Sequence, residues 1–133
     1  MRTWILPLTL LATACANAGG PPHVRPRNAE RLASAQPAGP PVDCVDIIRI
    51  RNTRVLDDRT IDFEMTDGKV LRNTLPHQCP SLGFEESFSY STSLSRLCSV
   101  DTITVLQQAG GIHRGASCGL GQFQPVTFPP GVR

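Results

Sequence analysis

Four cysteines, Cys44, Cys79, Cys98 and Cys118, are spread through the C-terminal two thirds of this 133-residue chain, and a fifth, Cys15, lies far upstream. Their spacing limits what the chain can become more than any other feature. There is no CxxC, which disfavours a thioredoxin-type redox role. An even number of separated cysteines in a short chain is the pattern of structural disulfides formed in an oxidising compartment. The expected pairing is nested. Cys79 with Cys98 would close a loop of about 20 residues, worth roughly 3 kcal/mol in the chain-entropy view. Cys44 with Cys118 would then join the start of the domain to its end. Spacing alone is compatible with all three connectivities.

Such staples are needed here. Charged residues make up 18% of the chain and aromatics 5%, with one Trp, one Tyr and five Phe, so a compact domain has a thin apolar core. The formal charge of +2 is unevenly placed. Between Cys44 and Pro125, eight Lys or Arg stand against nine Asp or Glu, while Arg2, Arg25, Arg27, Arg31 and Arg133 lie outside that span. A nucleic-acid binder would carry a clustered basic face on its folded part. That class of partner is disfavoured.

The N-terminus accounts for the odd cysteine. "MRTWILPLTLLATACANA" has one positive charge, Arg2, then an apolar run from Trp4 to Ala12, then small residues. This is the layout of a secretory signal peptide over residues 1–18, and the run is too short for a stable membrane span. "LATAC" resembles a bacterial lipobox, with Ala14 before the cysteine, although Ala12 stands where Leu is usual and Leu11 lies one place earlier. In that reading Cys15 is the lipid-attachment site and the mature N-terminus, which tethers the chain without spanning the bilayer. Ordinary cleavage after Ala18 or Ala14 is the competing reading. Lipidation, or cleavage after Ala18, leaves four cysteines to pair.

Residues 19–43 form a Pro- and Ala-rich linker, with six prolines and little bulky apolar content, expected to be an extended or disordered tether. "NAERLASAQ" within it has the makings of one or two transient helical turns. From Cys44 the texture becomes short β segments with turn punctuation. "VDIIRIR" sets Ile48 and Ile50 against Arg49 and Arg51. "TIDFEM" sets Ile61, Phe63 and Met65 against Asp62 and Glu64. "TDG" turns the chain into "KVLRNTL", and a three-residue loop with Gly68 left-handed places Phe63 opposite Leu71. "SFSYSTSL", "SVDTITVLQQ" and "IHRGASCGLGQFQPV" supply further strands, and no stretch reads as a firm helix. The expected fold is mainly β. It is a small antiparallel barrel or compact sandwich of five to seven strands over residues 44–125, stapled by disulfides, with a short tail at 126–133.

Four blocks of this domain, "TRVLDDRTIDFEM", "RNTLPHQCP", "FSYSTSLSRLCSVDTITVL" and "RGASCGLGQF", resemble in order and spacing an uncharacterised family of small exported proteobacterial proteins, domain of unknown function 6491. The resemblance covers most of residues 44–125. It implies an envelope protein with a cysteine-bearing β domain, and it brings no established activity or catalytic residues.

The candidate chemistry is modest. Asp57 and Asp58 are adjacent, so on a strand they would face opposite ways, and turn capping suits them better than paired-carboxylate catalysis. Arg49 and Arg51, extended by Arg72, could form an anion-binding patch. As cross-strand partners of Asp62 and Glu64 they would simply form the wet side of a sheet. His77 is a further candidate binding residue. A metal set of His77, Cys79, His113 and Cys118 lacks common zinc spacing and would need reduced thiols, so no metal or other cofactor is expected. "CGLGQF" has no helix after it, which makes Gly119 and Gly121 candidates for a bulge or close backbone approach. No GxSxG elbow is present.

The reading that emerges is a non-catalytic binding or structural protein of the cell envelope. It would sit at the periplasmic face of a bacterial membrane, with the outer membrane favoured, or free in the periplasm. Its partner would be an envelope component, protein or peptidoglycan. Inhibition of a cell-wall-degrading enzyme is the alternative within binding. A hydrolase using Asp58 and His77 is the alternative of another class.

Overall fold

The computed structural model describes residues 24–133. The signal peptide expected over 1–18, Cys15 and the first linker residues lie outside the described residues. In chain order the first elements are α1 (Pro26–Ser34), β1 (Gln36–Pro37), β2 (Cys44–Asp46), β3 (Ile50–Val55), β4 (Thr60–Met65) and β5 (Val70–Thr74). They are followed by α2 (Leu82–Glu85), β6 (Phe88–Tyr90), β7 (Arg96–Cys98), β8 (Thr102–Gln107), β9 (His113–Gly119) and β10 (Phe123–Thr127). A five-stranded antiparallel sheet runs β1-β10-β5-β4-β3. A three-stranded sheet runs β6-β8-β9, and β2 pairs with β7 in a separate ribbon. The sheets pack as a compact, sandwich-like β structure and do not close into a barrel.

The core follows from period-2 patterning. Ile61, Phe63 and Met65 of β4 point inward and meet Ile103 and Val105 of β8, with Leu97 of β7 and Val45 of β2 closing the end. Phe63 lies edge-on to Phe123 at 5.2 Å and to Phe88 at 6.4 Å. These aromatic contacts concentrate much of the small apolar payload at one point. The register places Phe63 opposite Leu71, as expected. It is set by the three-residue loop, in which Gly68 takes φ +85° and Asp67 Oδ1 accepts the Lys69 N–H at 3.0 Å.

"VDIIRIR" departs from expectation. Its first residues pair with β7 and its last with β4, so the chain must change sheets between them. One turn of 3₁₀ helix at Ile47–Arg49 makes that change and breaks the alternation. Ile47 and Ile50 pack on the core, whereas Ile48 is 86% exposed.

The disulfides are Cys44–Cys98 and Cys79–Cys118, which corrects the nested pairing. Cys44 lies directly across from Cys98 in the β2–β7 ladder. Cys79 is fully buried in the β5–α2 connector, and Cys118 packs on the core from β9. The bridges interleave along the sequence, spanning 54 and 39 residues, so loops of this length are worth about 4 kcal/mol each. Cys79 and Cys118, which the disfavoured metal set would have used, are bonded to each other and have no thiolate to offer.

The tether reading is corrected from Pro26 onward. Pro26 opens a nine-residue helix, α1, at the position where its missing N–H costs nothing. The buried residues of α1 are Asn28 and Arg31, which lie on one face. This helix covers the outer face of the five-stranded sheet. The C-terminal tail boundary shifts as well, because β10 runs to Thr127.

Arg49, Arg72, Arg96 and Arg114 separate the four cysteines, so non-reducing tryptic mapping should recover 32–49 joined to 97–114 and 73–96 joined to 115–133. Reduction should lower the melting temperature by roughly 15 °C or more. An unchanged melting temperature would show that the bridges are not what holds the domain together.

Candidate functional site

The outer face of the large sheet carries a cross-strand row, Arg54–Asp62–Arg72–Gln124, with Glu64 one step along β4. Sequence patterning makes this the wet side. Instead α1 lies on it, and Asp62 is fully buried. Arg31 Nε donates to Asp62 Oδ2 at 2.7 Å, Arg72 Nε donates to Oδ1 at 2.7 Å, and Arg72 Nη2 donates to Oδ2 at 3.0 Å. One carboxylate thus holds two guanidinium groups in charge-assisted bonds. Arg72 Nη2 also donates to the Arg31 carbonyl at 3.2 Å, so a cation sits at the C-terminal end of α1, where the helix dipole favours one. The Phe128 ring lies 4.2 Å from the Arg31 guanidinium carbon, which clamps the tail over the helix.

Around this centre, Glu64 takes Arg31 at 3.5 Å, Arg54 at 3.4 Å and Arg51 at 4.0 Å. Asn28 Nδ2 donates to the Val55 and Leu56 carbonyls at 3.3 and 3.2 Å. Arg25 and Arg27 reach Glu86 at the end of α2, at 3.1 and 3.9 Å. The cluster is a docking device for α1. Its two central cations, Arg31 and Arg72, are committed to Asp62.

The four candidate binding residues therefore do not converge. Arg72 is committed to Asp62. Arg49 pairs with Asp67 at 3.2 Å, Arg51 reaches weakly for Glu64, and His77 is exposed in the β5–α2 connector. Asp57 Oδ1 accepts the Arg59 N–H and Asp58 Oδ1 accepts the Gly83 N–H, both at 2.8 Å, which is turn and loop bonding. His113 is exposed at the start of β9. Gly121 makes the close approach expected of "CGLGQF": a Cβ there would collide with the Thr74 carbonyl oxygen. The buried Asn73 side chain brackets the same residue. It donates to the Gly121 carbonyl at 2.7 Å and accepts the Gly121 N–H at 2.8 Å.

Sequence reasoning did not single out one large concavity. A groove of about 1050 Å³ opens at the β4–β5 hairpin end, between the large sheet and the β2–β7 ribbon. Val45, Met65, Leu71 and Val126 form apolar walls, and Val42, Pro125 and Val132 extend them. Arg49, Lys69 and Arg96 stand among the lining residues with Asp46 and Asp67. Two of these cations are compensated, Arg49 by Asp67 and Arg96 by Asp46 at 3.6 Å. A size and apolar character of this kind suit ligand binding. The groove is assembled from five separate strands, so no local motif announces it. A second recess, of about 270 Å³, lies where α1 meets β3 and is lined by Arg27, Asn28, Arg54 and Glu86.

Comparison with protein-family models, with curated proteins and with solved structures finds no match to this chain.

Replacing Asp62 with Ala strands two buried cations and should cost about 3–5 kcal/mol, read by denaturant unfolding. Arg31→Leu should cost less, because Asp62 keeps Arg72. It should also make the chain near Arg27 sensitive to trypsin in the native state. If trypsin cuts wild type and variant there at equal rates, the docking role assigned to Arg31 is wrong.

Proposed function

We propose that this is an exported cell-envelope protein whose disulfide-stapled β domain acts by non-catalytic binding, with the groove at the β4–β5 end as its site. Lipid on Cys15 would hold it at the periplasmic face of a bacterial membrane, the outer membrane being favoured. Two disulfides in a small domain belong to a chain folded in an oxidising, exported location. Among the described residues no helix is long and apolar enough to cross a membrane. The lipobox-like "LATAC" and the resemblance to domain of unknown function 6491 point the same way.

The observation that carries the binding reading is the groove's apolar lining at a volume of about 1050 Å³. The apolar walls recognise hydrocarbon or side-chain surface, and of the charged lining groups Arg49 and Arg96 are already spent on Asp67 and Asp46, which leaves little to bond a sugar's hydroxyls. Of the two envelope partners, protein therefore fits the groove better than peptidoglycan.

Two measurements test this. The intact mass of protein from the membrane fraction should show an acylated Cys15 and four thiols alkylated only after reduction. A lipid-free mass would make the protein a soluble periplasmic or secreted one. A neutral apolar dye such as N-phenyl-1-naphthylamine should brighten on binding the protein. Val42→Glu, at a half-exposed lining residue, should weaken that binding about tenfold. Dye binding that ignores the substitution would remove the groove as the site.

A further inference from the structure

Ile48 is 86% exposed and Leu94 is 67% exposed. They belong to different segments, and the ladder brings them together. The register of β2 against β7 pairs Cys44 with Cys98, Val45 with Leu97 and Asp46 with Arg96. The bond from Ile47 N–H to the Ser95 carbonyl, at 3.0 Å, continues it by one step. Ile48 and Leu94 flank that bond, each one residue beyond it, at the open tip of the ribbon where the chain enters the 3₁₀ turn. Thr92 stiffens that tip: its Oγ1 donates to the Arg96 carbonyl at 3.0 Å and accepts the Leu94 N–H at 3.2 Å. Two large aliphatic side chains are thus held out in water on an ordered support, where neither helps the core.

Their surroundings are basic. Arg49 follows Ile48 directly, and its carbonyl accepts the Thr66 N–H at 2.8 Å, which brings the β4–β5 loop and Lys69 to the same end. Arg51 and Arg96 complete the set, at 62% and 55% side-chain exposure. Asp46 and Asp67 compensate Arg96 and Arg49, and Arg51 shares Glu64, at 4.0 Å, with Arg31 and Arg54. Lys69 has no carboxylate within salt-bridge distance among the described residues. The tip is therefore apolar at its point and net cationic around it, on a domain whose charge is otherwise nearly balanced.

We propose that this tip docks on an anionic lipid bilayer: Ile48 and Leu94 enter the interface while Lys69 and its basic neighbours meet the headgroups. The charge favours this occupant. An apolar protein surface would match Ile48 and Leu94 and leave Lys69 unmatched. A bilayer bearing anionic headgroups over hydrocarbon answers both, in the right order of depth. The inference does not need lipid on Cys15, and its apolar point, Ile48 and Leu94, lies outside the groove lining that Arg49, Lys69 and Arg96 share.

The test uses the full chain carrying Cys15→Ser, so that no acyl group of its own contributes. It is co-sedimented with phosphatidylcholine vesicles with and without phosphatidylglycerol. Binding should appear with phosphatidylglycerol and fall as salt rises. The double substitution Ile48→Glu with Leu94→Glu should weaken it about tenfold or more. Lys69→Glu should weaken it by about fivefold or more, leaving the two disulfides intact. All three positions are exposed, so folding is spared, and the dye assay on the Ile48 and Leu94 double variant, which leaves the groove lining untouched, confirms that the groove survives. Equal partition of the double variant and the parent would overturn the proposal. So would equal binding to neutral vesicles, or no vesicle binding at all, in which case the patch falls to a protein partner.

Discussion

A carboxylate with no access to water must be answered by cations or it will not stay charged, and Asp62 sits at that point in the large sheet. Its two guanidinium partners come from different places, Arg72 from the neighbouring strand and Arg31 from a helix that precedes the sheet in sequence. Satisfying Asp62 therefore fixes more than a local contact. Arg72 bonds the end of α1 while it bonds Asp62, and Arg31 carries Phe128 of the tail on its other face. Helix, central strand and C-terminus are joined through one polar centre. An apolar seam of the same size could slide, whereas three short charge-assisted bonds have one good geometry.

The opposite side of the large sheet is held by other means. Its inner face sets Phe63 and Phe123 among aliphatic neighbours such as Ile61, Met65 and Leu71, and the interleaved disulfides add to what this small core supplies. Cys44–Cys98 locks the β2–β7 ribbon, which contributes Val45 and Leu97 to the core. Cys79–Cys118 pins the β5–α2 connector to the three-stranded sheet. The connector leads into a one-turn helix flanked by Ser81 and Glu86, both left-handed. The bridge adds to the connector's bonds with the β3–β4 turn, where the Cys79 N–H donates to the Asp58 carbonyl and Arg59 donates to the Leu75 and Pro76 carbonyls.

The two sides differ in how far the sequence discloses them. Where burial is apolar and alternates with period 2, as in β4, the pattern yields strand, face and register together, down to Phe63 opposite Leu71. Glycine rules disclosed the β4–β5 loop and the tight approach at Gly121 for the same reason: each rests on local geometry. Helix α1 was legible only as one or two transient turns because its buried face is Asn28 and Arg31, residues that a hydrophobic pattern counts as solvent-facing. The burial of Asp62 escaped notice, since an alternating polar residue looks wet until something is known to cover it. The disulfide pairing depends on which strands end up adjacent, and the groove on five strands meeting at one end. Both are long-range outcomes of topology that spacing does not encode.

The covering helix also limits where the domain can engage anything else. With α1 on the outer face, that face is closed to ligands, and Asn28 spends its amide on carbonyls at the end of β3. The free edge of β3 is further blunted by a register shift between Ile50 and Asn52 and by Arg51 and Arg54. The edge of β9 carries a shift of its own opposite Thr104–Leu106, beside Arg114. Strand addition at either edge is thus opposed by the same devices that keep β proteins from aggregating. The end of the molecule where β2, the β4–β5 loop and β10 converge lacks those devices. There the apolar surface stays open, in the groove and at Ile48 and Leu94. An unburied cost of that kind is tolerated where binding recovers it, which is why the proposed recognition is placed at this end of the fold and not on the charged row that the sequence brings first to notice.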